Sequence, residues 1–147
     1  VMSWRGQQGG IAAAQAGHDV VMAPFQFLYF DFYQADPETE PLAISGFNPL
    51  DKVYNFHPVP SELSAEQAKY ILGAQGQLWT EYIPTPEHAE YMAYPRACAL
   101  AEIVWTPKKN KDYDDFLSRL QTHLKRLDAL DVNYRPLDNK TTSNAKD

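Results

Sequence analysis

The strongest hydrophobic pattern in the chain is an apolar stripe near its C-terminal end. From Leu117 onward its members recur three or four positions apart, with mostly polar residues between them: Phe116, Leu117, Leu120, Leu124, Leu127 and Leu130. Such spacing places apolar side chains on one face of a helix. We therefore predict a surface helix from Tyr113 to about Leu130 that packs on the rest of the protein.

Continuous apolar runs predict strands that are buried on both faces, as in a parallel sheet. One run extends from Val20 to Ala23 and is ended by Pro24, and a second extends from Ala74 to about Trp79. A shorter apolar segment at the start of the chain ends at Trp4 and is interpreted as the remnant of a strand.

Two short helices are predicted between these strands. The alanine-rich segment from Gly10 to Ala16 is followed by Gly17, which can end a helix in the left-handed conformation. Ser64 and Gln67 form a capping-box pattern, which indicates that a helix begins there, and we expect that helix to end at Gly73.

Prolines mark the beginnings and interruptions of the remaining segments. Thr85 and Pro86 are typical of a helix start, and Pro95 should interrupt that helix. Residues 34–60 contain five prolines and little periodicity, so we predict a long irregular loop of the kind that is often functional. Residues 139–147 are polar and are expected to form a disordered tail.

The alternation of strands and helices predicts an α/β fold with about three parallel strands joined by right-handed crossovers, within a domain spanning residues 1–138. A sheet of three strands has bare edges, so we expect self-association through them. Since the chain begins with an apolar aromatic segment and has no methionine at position 1, we also expect a cut end there.

Composition excludes several classes of function. The net charge is -6 and the pI is about 5.1, which argues against a nucleic acid or an anionic membrane as partner. A single cysteine, Cys98, rules out an internal disulfide framework and a multi-cysteine metal site. No apolar run is long enough to span a bilayer. No metal and no cofactor are implied.

Two segments carry the same candidate chemistry. Tyr29 and Asp31, like Trp79 and Glu81, place an aromatic residue and a carboxylate two positions apart near the end of a predicted strand. Active sites form at the carboxyl ends of parallel strands. Aromatic faces and carboxylates together suit a sugar ring and its hydroxyls. The alternative is that the aromatic residues belong to the core and that the acids are caps.

An ordered series of segments resembles glycoside hydrolase family 20, the exo-acting β-N-acetylhexosaminidases, over roughly residues 1–107. The matching segments are Ser3-Trp4-Arg5-Gly6, residues 17–24, Tyr29-Phe30-Asp31, Val53-Tyr54, residues 73–76, residues 78–81, Tyr94-Pro95-Arg96, Ala101-Glu102 and Trp105. The resemblance implies the C-terminal part of a (β/α)8 barrel and a substrate-assisted retaining reaction.

The resemblance also implies roles for the candidate residues. Tyr29 would align the acetamido oxygen of the substrate, Trp4 would wall the acetamido pocket, and Trp79 would lie under the sugar ring. Asp31 and Glu81 would bind hydroxyls of a terminal N-acetylhexosamine. No Asp-Glu dipeptide, the family's catalytic pair, occurs in the chain, so we expect no activity without the N-terminal part of the barrel.

Two other readings stay open. Asp31 and Glu81 could act as the acid and nucleophile of a conventional retaining glycosidase, which would require a separation of about 5 Å between their carboxyls. The chain could instead be a non-catalytic sugar-binding module. Arg96 and Glu102 are expected to make structural contacts only, and the resemblance implies an exported, periplasmic or secreted parent enzyme from a bacterium.

Overall fold

A computed structural model of the chain describes residues 1–138; the predicted tail, residues 139–147, lies outside the described residues. Its centre is a sheet of three parallel strands in the order β1-β2-β3. The strands are β1 (Met2–Ser3), β2 (Val20–Met22) and β3 (Ile71–Ala74). Met2 pairs with Val21, and Met22 pairs with Ala74. The prediction of about three parallel strands is therefore confirmed.

Seven α-helices surround this sheet in the described part of the chain. They are α1 (Gln8–Gln15), α2 (Phe25–Leu28), α3 (Leu50–Tyr54), α4 (Ala65–Ala68), α5 (Pro86–Ala93), α6 (Arg96–Trp105) and α7 (Tyr113–Ala129). A short 3-10 helix, Lys108–Asn110, links α6 to α7.

Local signals in the sequence explain where several helices begin and end. Gly17, just past α1, has a φ of 81°, a conformation that glycine adopts without steric cost. The hydroxyl of Ser64 accepts a hydrogen bond from the amide of Gln67, completing the predicted capping box of α4. The hydroxyl of Thr85 accepts a hydrogen bond from the amide of His88 at the start of α5, and Pro95 separates α5 from α6 as predicted.

The structure corrects the predicted second strand and the loop that was predicted to be irregular. Strand β3 spans Ile71–Ala74, so the prediction of a strand from Ala74 to Trp79 is wrong, and α4 ends at Ala68 instead of Gly73. The loop over residues 34–60 contains α3, whose Val53 and Tyr54 are buried. A helical turn, α2, follows β2 in the aromatic segment that leads to this loop.

The C-terminal helix packs as its stripe predicts. Five apolar side chains of α7 are buried in the main core: Phe116, Leu117, Leu120, Leu124 and Leu127. They pack in the same hydrophobic cluster as Ala99 and Ile103 of α6. Leu130 is the exception, since it follows the last turn and is 72% exposed. No helix within residues 1–138 is long and apolar enough to cross a membrane.

Candidate functional site

The sheet continues past the ends of its strands and brings two of the predicted segments together. After the turn of α2, Tyr29 and Gln77 form an isolated parallel bridge. The amide of Phe30 donates to the carbonyl of Gln77 at 2.6 Å, and the amide of Gln77 donates to Leu28 at 2.8 Å. The Tyr29 segment therefore lies beside the segment that leads to Trp79, on the carboxyl side of the sheet.

This arrangement differs from the predicted one in detail. Neither Tyr29 nor Trp79 lies on a strand, because β2 ends at Met22 and β3 ends at Ala74. Both candidate pairs are carried by the connections that follow the strands. The alternation of side chains along a strand consequently does not determine where Asp31 and Glu81 point.

The two candidate tryptophans lie on the surface rather than in the core. Trp79 is 49% exposed and Trp4 is 40% exposed. Trp4 directly follows β1, and its carbonyl accepts a hydrogen bond of 2.8 Å from the amide of Phe25. The ring of Phe25 packs edge-on against the half-buried Tyr29, with 6.3 Å between ring centroids. Burial thus does not support the alternative that the tryptophans are core residues.

Trp4 is linked to the Tyr29 segment through Phe25. It lines a surface cleft of about 520 Å³ that also contains Arg5, Gln8 and Gln26. Neither Tyr29 nor Trp79 lines that cleft. The structure therefore brings together the segments that carry Tyr29, Asp31, Trp79 and Glu81, and it connects Trp4 to them through Phe25.

Asp31 is the most unusual group at this end of the sheet. Its side chain is only 4% exposed, and its Oδ1 atom has no hydrogen-bond partner within residues 1–138. Burial raises the pKa of its carboxyl to about 6. The nearby charge of Glu81 acts in the same direction, whereas the backbone amide of Asp31 and the cation of Arg96 oppose it. A buried carboxylate with a free oxygen is suited to accept a hydrogen bond from a ligand.

A buried arginine supports this region. Arg96, the first residue of α6, is fully buried and donates hydrogen bonds to the carbonyls of Phe30 and Phe32, the neighbours of Asp31. Glu102 accepts hydrogen bonds of 3.2 and 2.7 Å from Arg119. Structural contacts of Arg96 and Glu102 were predicted, but the link from Arg96 to the Asp31 segment was not. Its only signal in the sequence is a charged residue in an apolar helix.

No cluster of three or more potential metal-binding side chains occurs within the described part of the chain. Cys98 is half-buried on α6, and burial raises the pKa of its thiol to about 11. At neutral pH this thiol is protonated, which makes it a poor nucleophile.

Helices between parallel strands, with aromatic and acidic side chains beyond the carboxyl ends of the strands, are the layout of (β/α)8-barrel enzymes. Residues 1–108 match the model of the family described as glycosyl hydrolase family 20, catalytic domain. The chain belongs to this family, and the resemblance noted in the sequence is confirmed.

Curated relatives are much longer than this chain. A beta-hexosaminidase of Porphyromonas gingivalis is 53% identical over 135 residues, which cover 91% of this chain and 17% of the relative. A beta-hexosaminidase of Akkermansia muciniphila is 32% identical over 126 residues, covering 84% of this chain and 25% of the relative. The chain thus spans about a fifth of the length of these relatives.

Solved structures agree with the predicted fold class. A family 20 exo-β-N-acetylglucosaminidase from Vibrio harveyi, in complex with N-acetylglucosamine, aligns with a TM-score of 0.78 at 37% identity. The alignment covers 92% of this chain and 21% of that one. A Streptomyces plicatus β-hexosaminidase mutant in complex with its product GlcNAc also aligns with a TM-score of 0.78, at 25% identity. The three strands and their helices are a portion of a (β/α)8 barrel.

Proposed function

We propose that residues 1–138 form the C-terminal, sugar-binding part of an exo-acting β-N-acetylhexosaminidase, with residues 139–147 as a tail outside this domain. Its substrate is a terminal β-linked GlcNAc or GalNAc of a glycan. The observation that carries the proposal is the buried Asp31, whose Oδ1 has no hydrogen-bond partner within residues 1–138 and whose segment pairs with the segment that leads to Trp79. Membership of family 20 and the complexes of two relatives with GlcNAc support it.

Each candidate residue receives one task in this proposal. Asp31 and Glu81 accept hydrogen bonds from hydroxyls of the terminal sugar, and Trp79 offers an apolar face to the ring. Trp4 walls the acetamido group. The hydroxyl of Tyr29 donates to the acetamido oxygen and holds it for attack.

The reaction is substrate-assisted and retains the configuration. The acetamido oxygen attacks the anomeric carbon, the glycosidic bond breaks, and the leaving oxygen takes a proton from a general acid. Water then gives a proton to the conjugate base of that acid and adds to the anomeric carbon of the cyclic intermediate, which breaks the bond to the acetamido oxygen and regenerates the acetamide. The general acid is not among the candidate residues of this chain, which contains no Asp-Glu dipeptide. We therefore assign it to an earlier part of the barrel.

The same reasoning gives the chain a structural partner. Within the described residues, β1 and β3 each pair only with β2, and Met2 and Leu72 are exposed at these two outer strands. In the complete enzyme the preceding strands of the barrel cover these edges, and in the isolated chain the edges favour self-association. Sedimentation analysis of the isolated chain tests this point, and a strict monomer would contradict it.

The enzymatic proposal is tested by comparing the chain alone with the complete enzyme, which is the full polypeptide that contains this chain. Both are incubated with p-nitrophenyl β-N-acetylglucosaminide. We expect turnover by the complete enzyme only. Turnover by the chain alone would favour the conventional mechanism with Asp31 and Glu81. Sugar binding without turnover by the complete enzyme would favour a binding module.

The proposed export of the parent enzyme is tested by cell fractionation. We expect the complete enzyme in the periplasmic or secreted fraction.

The role of Tyr29 is tested by Tyr29→Phe in the complete enzyme. We expect kcat to fall about 10- to 100-fold with little change in KM, because the hydrogen bond strengthens as the acetamido oxygen attacks. Tyr70→Phe is the matched control, since Tyr70 immediately precedes β3 at the other end of the sheet. Equal turnover by the Tyr29→Phe and Tyr70→Phe enzymes would remove Tyr29 from the mechanism.

A further inference from the structure

All the hydrogen bonds of the Arg96 guanidinium go to backbone carbonyls. Its guanidinium makes five hydrogen bonds, to the carbonyls of Met92, Phe32, Asn48 and Phe30, over distances of 2.5 to 3.2 Å. A guanidinium has five N–H donors, so this geometry uses all of them. None of these partners is a carboxylate. A buried charge is costly, and here it is offset by carbonyl groups from three separate segments of the chain.

Two of these carbonyls belong to Phe30 and Phe32, the residues on either side of Asp31. Arg96 Nη2 lies 2.5 Å from the carbonyl oxygen of Phe30, and Nη1 lies 3.0 Å from that of Phe32. The guanidinium carbon also lies 5.0 Å from the ring centroid of Phe30. The backbone on both sides of Asp31 is therefore attached to one rigid, planar group.

Asn48 makes the equivalent attachment to the backbone of Tyr29. Its fully buried side chain donates from Nδ2 to the carbonyl of Tyr29 at 3.1 Å and to that of Phe25 at 2.9 Å. The carbonyl of Asn48 in turn accepts a hydrogen bond of 3.0 Å from Arg96. Arg96 and Asn48 are thus directly connected, and together they hold the segment from Tyr29 to Phe32.

We infer that Arg96 and Asn48 form a buried frame that sets the positions of Tyr29 and Asp31. Arg96 and Asn48 are therefore positioning residues for the proposed reaction. This inference rests on the proposed function, in which Tyr29 and Asp31 contact the sugar. Neither Arg96 nor Asn48 touches the substrate in this proposal. They act through the backbone that carries Tyr29 and Asp31.

The chemistry of the frame requires arginine at position 96. Lysine would keep the positive charge near Asp31, but its ammonium is a point charge with three donors and lacks the planar fork. It cannot hold the carbonyls of Phe30 and Phe32 together with those of Asn48 and Met92. Arg96→Lys therefore separates the geometric role of the side chain from its charge.

The test is a double-mutant cycle in the complete enzyme, measured as kcat and KM for p-nitrophenyl β-N-acetylglucosaminide. Arg96→Lys is combined with Asp31→Asn and, separately, with Tyr29→Phe. We expect Arg96→Lys to lower kcat/KM, and we expect its effect to be about 10-fold smaller in either mutant background, since coupled residues are non-additive. Arg119→Lys, on the surface of α7, is the control and should change neither constant.

A second variant covers the case in which Arg96→Lys does not fold. Asn48→Ser loses at least one of the two hydrogen bonds to Phe25 and Tyr29 without removing the buried cation. It should show the same non-additivity with Tyr29→Phe. All variants are compared below their melting transitions, which circular dichroism determines, so that a difference in the folded fraction does not enter kcat.

The outcomes distinguish the two proposals. Additive effects, with the same loss from Arg96→Lys or Asn48→Ser in every background, would overturn the frame while leaving the proposed function intact. If Tyr29→Phe and Asp31→Asn themselves left turnover unchanged, the proposed function would fail and the frame would fail with it. Non-additive losses in both cycles support the frame.

Discussion

Asp31→Asn should change the dependence of stability on pH, because the folded chain keeps the carboxyl of Asp31 out of water. The pKa of this carboxyl rises from 3.8 to about 6 in the folded state. Each pKa unit corresponds to about 1.4 kcal/mol, so the ionised carboxylate costs the folded state about 3 kcal/mol at neutral pH. This value is an upper bound, since polar neighbours and solvent screen part of the charge.

The sign follows from the two protonation equilibria. Well below pH 3.8 the carboxyl is protonated in both states and contributes no penalty. As the pH rises from about 4 to about 6, the unfolded chain releases its proton first, so the folded state loses stability over this range. Above pH 6 the penalty is constant. Asparagine, which carries no charge, should remove this pH-dependent part altogether.

We therefore expect Asp31→Asn to raise the free energy of unfolding at pH 7 relative to its effect at pH 4, by about 3 kcal/mol at most. Comparing the two pH values cancels the cost of fitting an amide into the site, since that cost is the same at both. The measurement is urea unfolding of the 147-residue chain, followed by circular dichroism. Asp19→Asn, an exposed carboxyl, is the matched control.

An equal effect of Asp31→Asn on the unfolding free energy at pH 4 and pH 7 would refute this reasoning. It would mean that the carboxyl is as well solvated in the folded chain as in the unfolded one. The proposed role of Asp31 as a desolvated acceptor for a sugar hydroxyl would then be contradicted. The expected gain in stability would come with weaker substrate binding in the complete enzyme, as is common for residues that serve function.

Two further substitutions test the packing elsewhere in the fold. Gly10→Ala would place a methyl group 2.7 Å from Cε of the buried Met22, and it should be about 1–3 kcal/mol less stable than Gly9→Ala in urea unfolding. Glu40→Gln removes the charge that pairs with Arg135 at 2.6 Å, where the two side chains are only 4% and 13% exposed. It should lower the unfolding free energy by about 3 kcal/mol.

Matched controls make these two comparisons specific. Gly9→Ala adds a methyl group in the same helix with no neighbour closer than 3.6 Å, so both variants gain the same helix propensity. Equal stability of the two would contradict the predicted clash. For Glu40, the control is Glu66→Gln, whose partner Lys69 is exposed, and it should cost no more than about 0.5 kcal/mol. Similar losses from both glutamates would contradict the burial argument.

The sequence alone determined the elements whose signals are local. The stripe of α7, the capping box of Ser64, the start of α5 at Pro86 and the glycine that ends α1 depend on residues within a few positions of each other. Parallel pairing followed from the alternation of strands and helices, and the ordered segments identified the family. The same ordered segments contain the candidate residues Tyr29, Asp31, Trp79 and Glu81, which is why the sequence alone could identify them as candidates.

Only the tertiary structure decided where the strands end and how the site is supported. The bridge of Tyr29 to Gln77 and the hydrogen bond of Arg96 to Phe30 join residues 48 and 66 positions apart. No periodicity or capping pattern in the sequence carries this information. The burial of Asp31 belongs to the same class, because desolvation depends on what the rest of the chain packs around the carboxyl. Local interactions fix helices and turns, whereas the environment of a charged group is a property of the assembled fold.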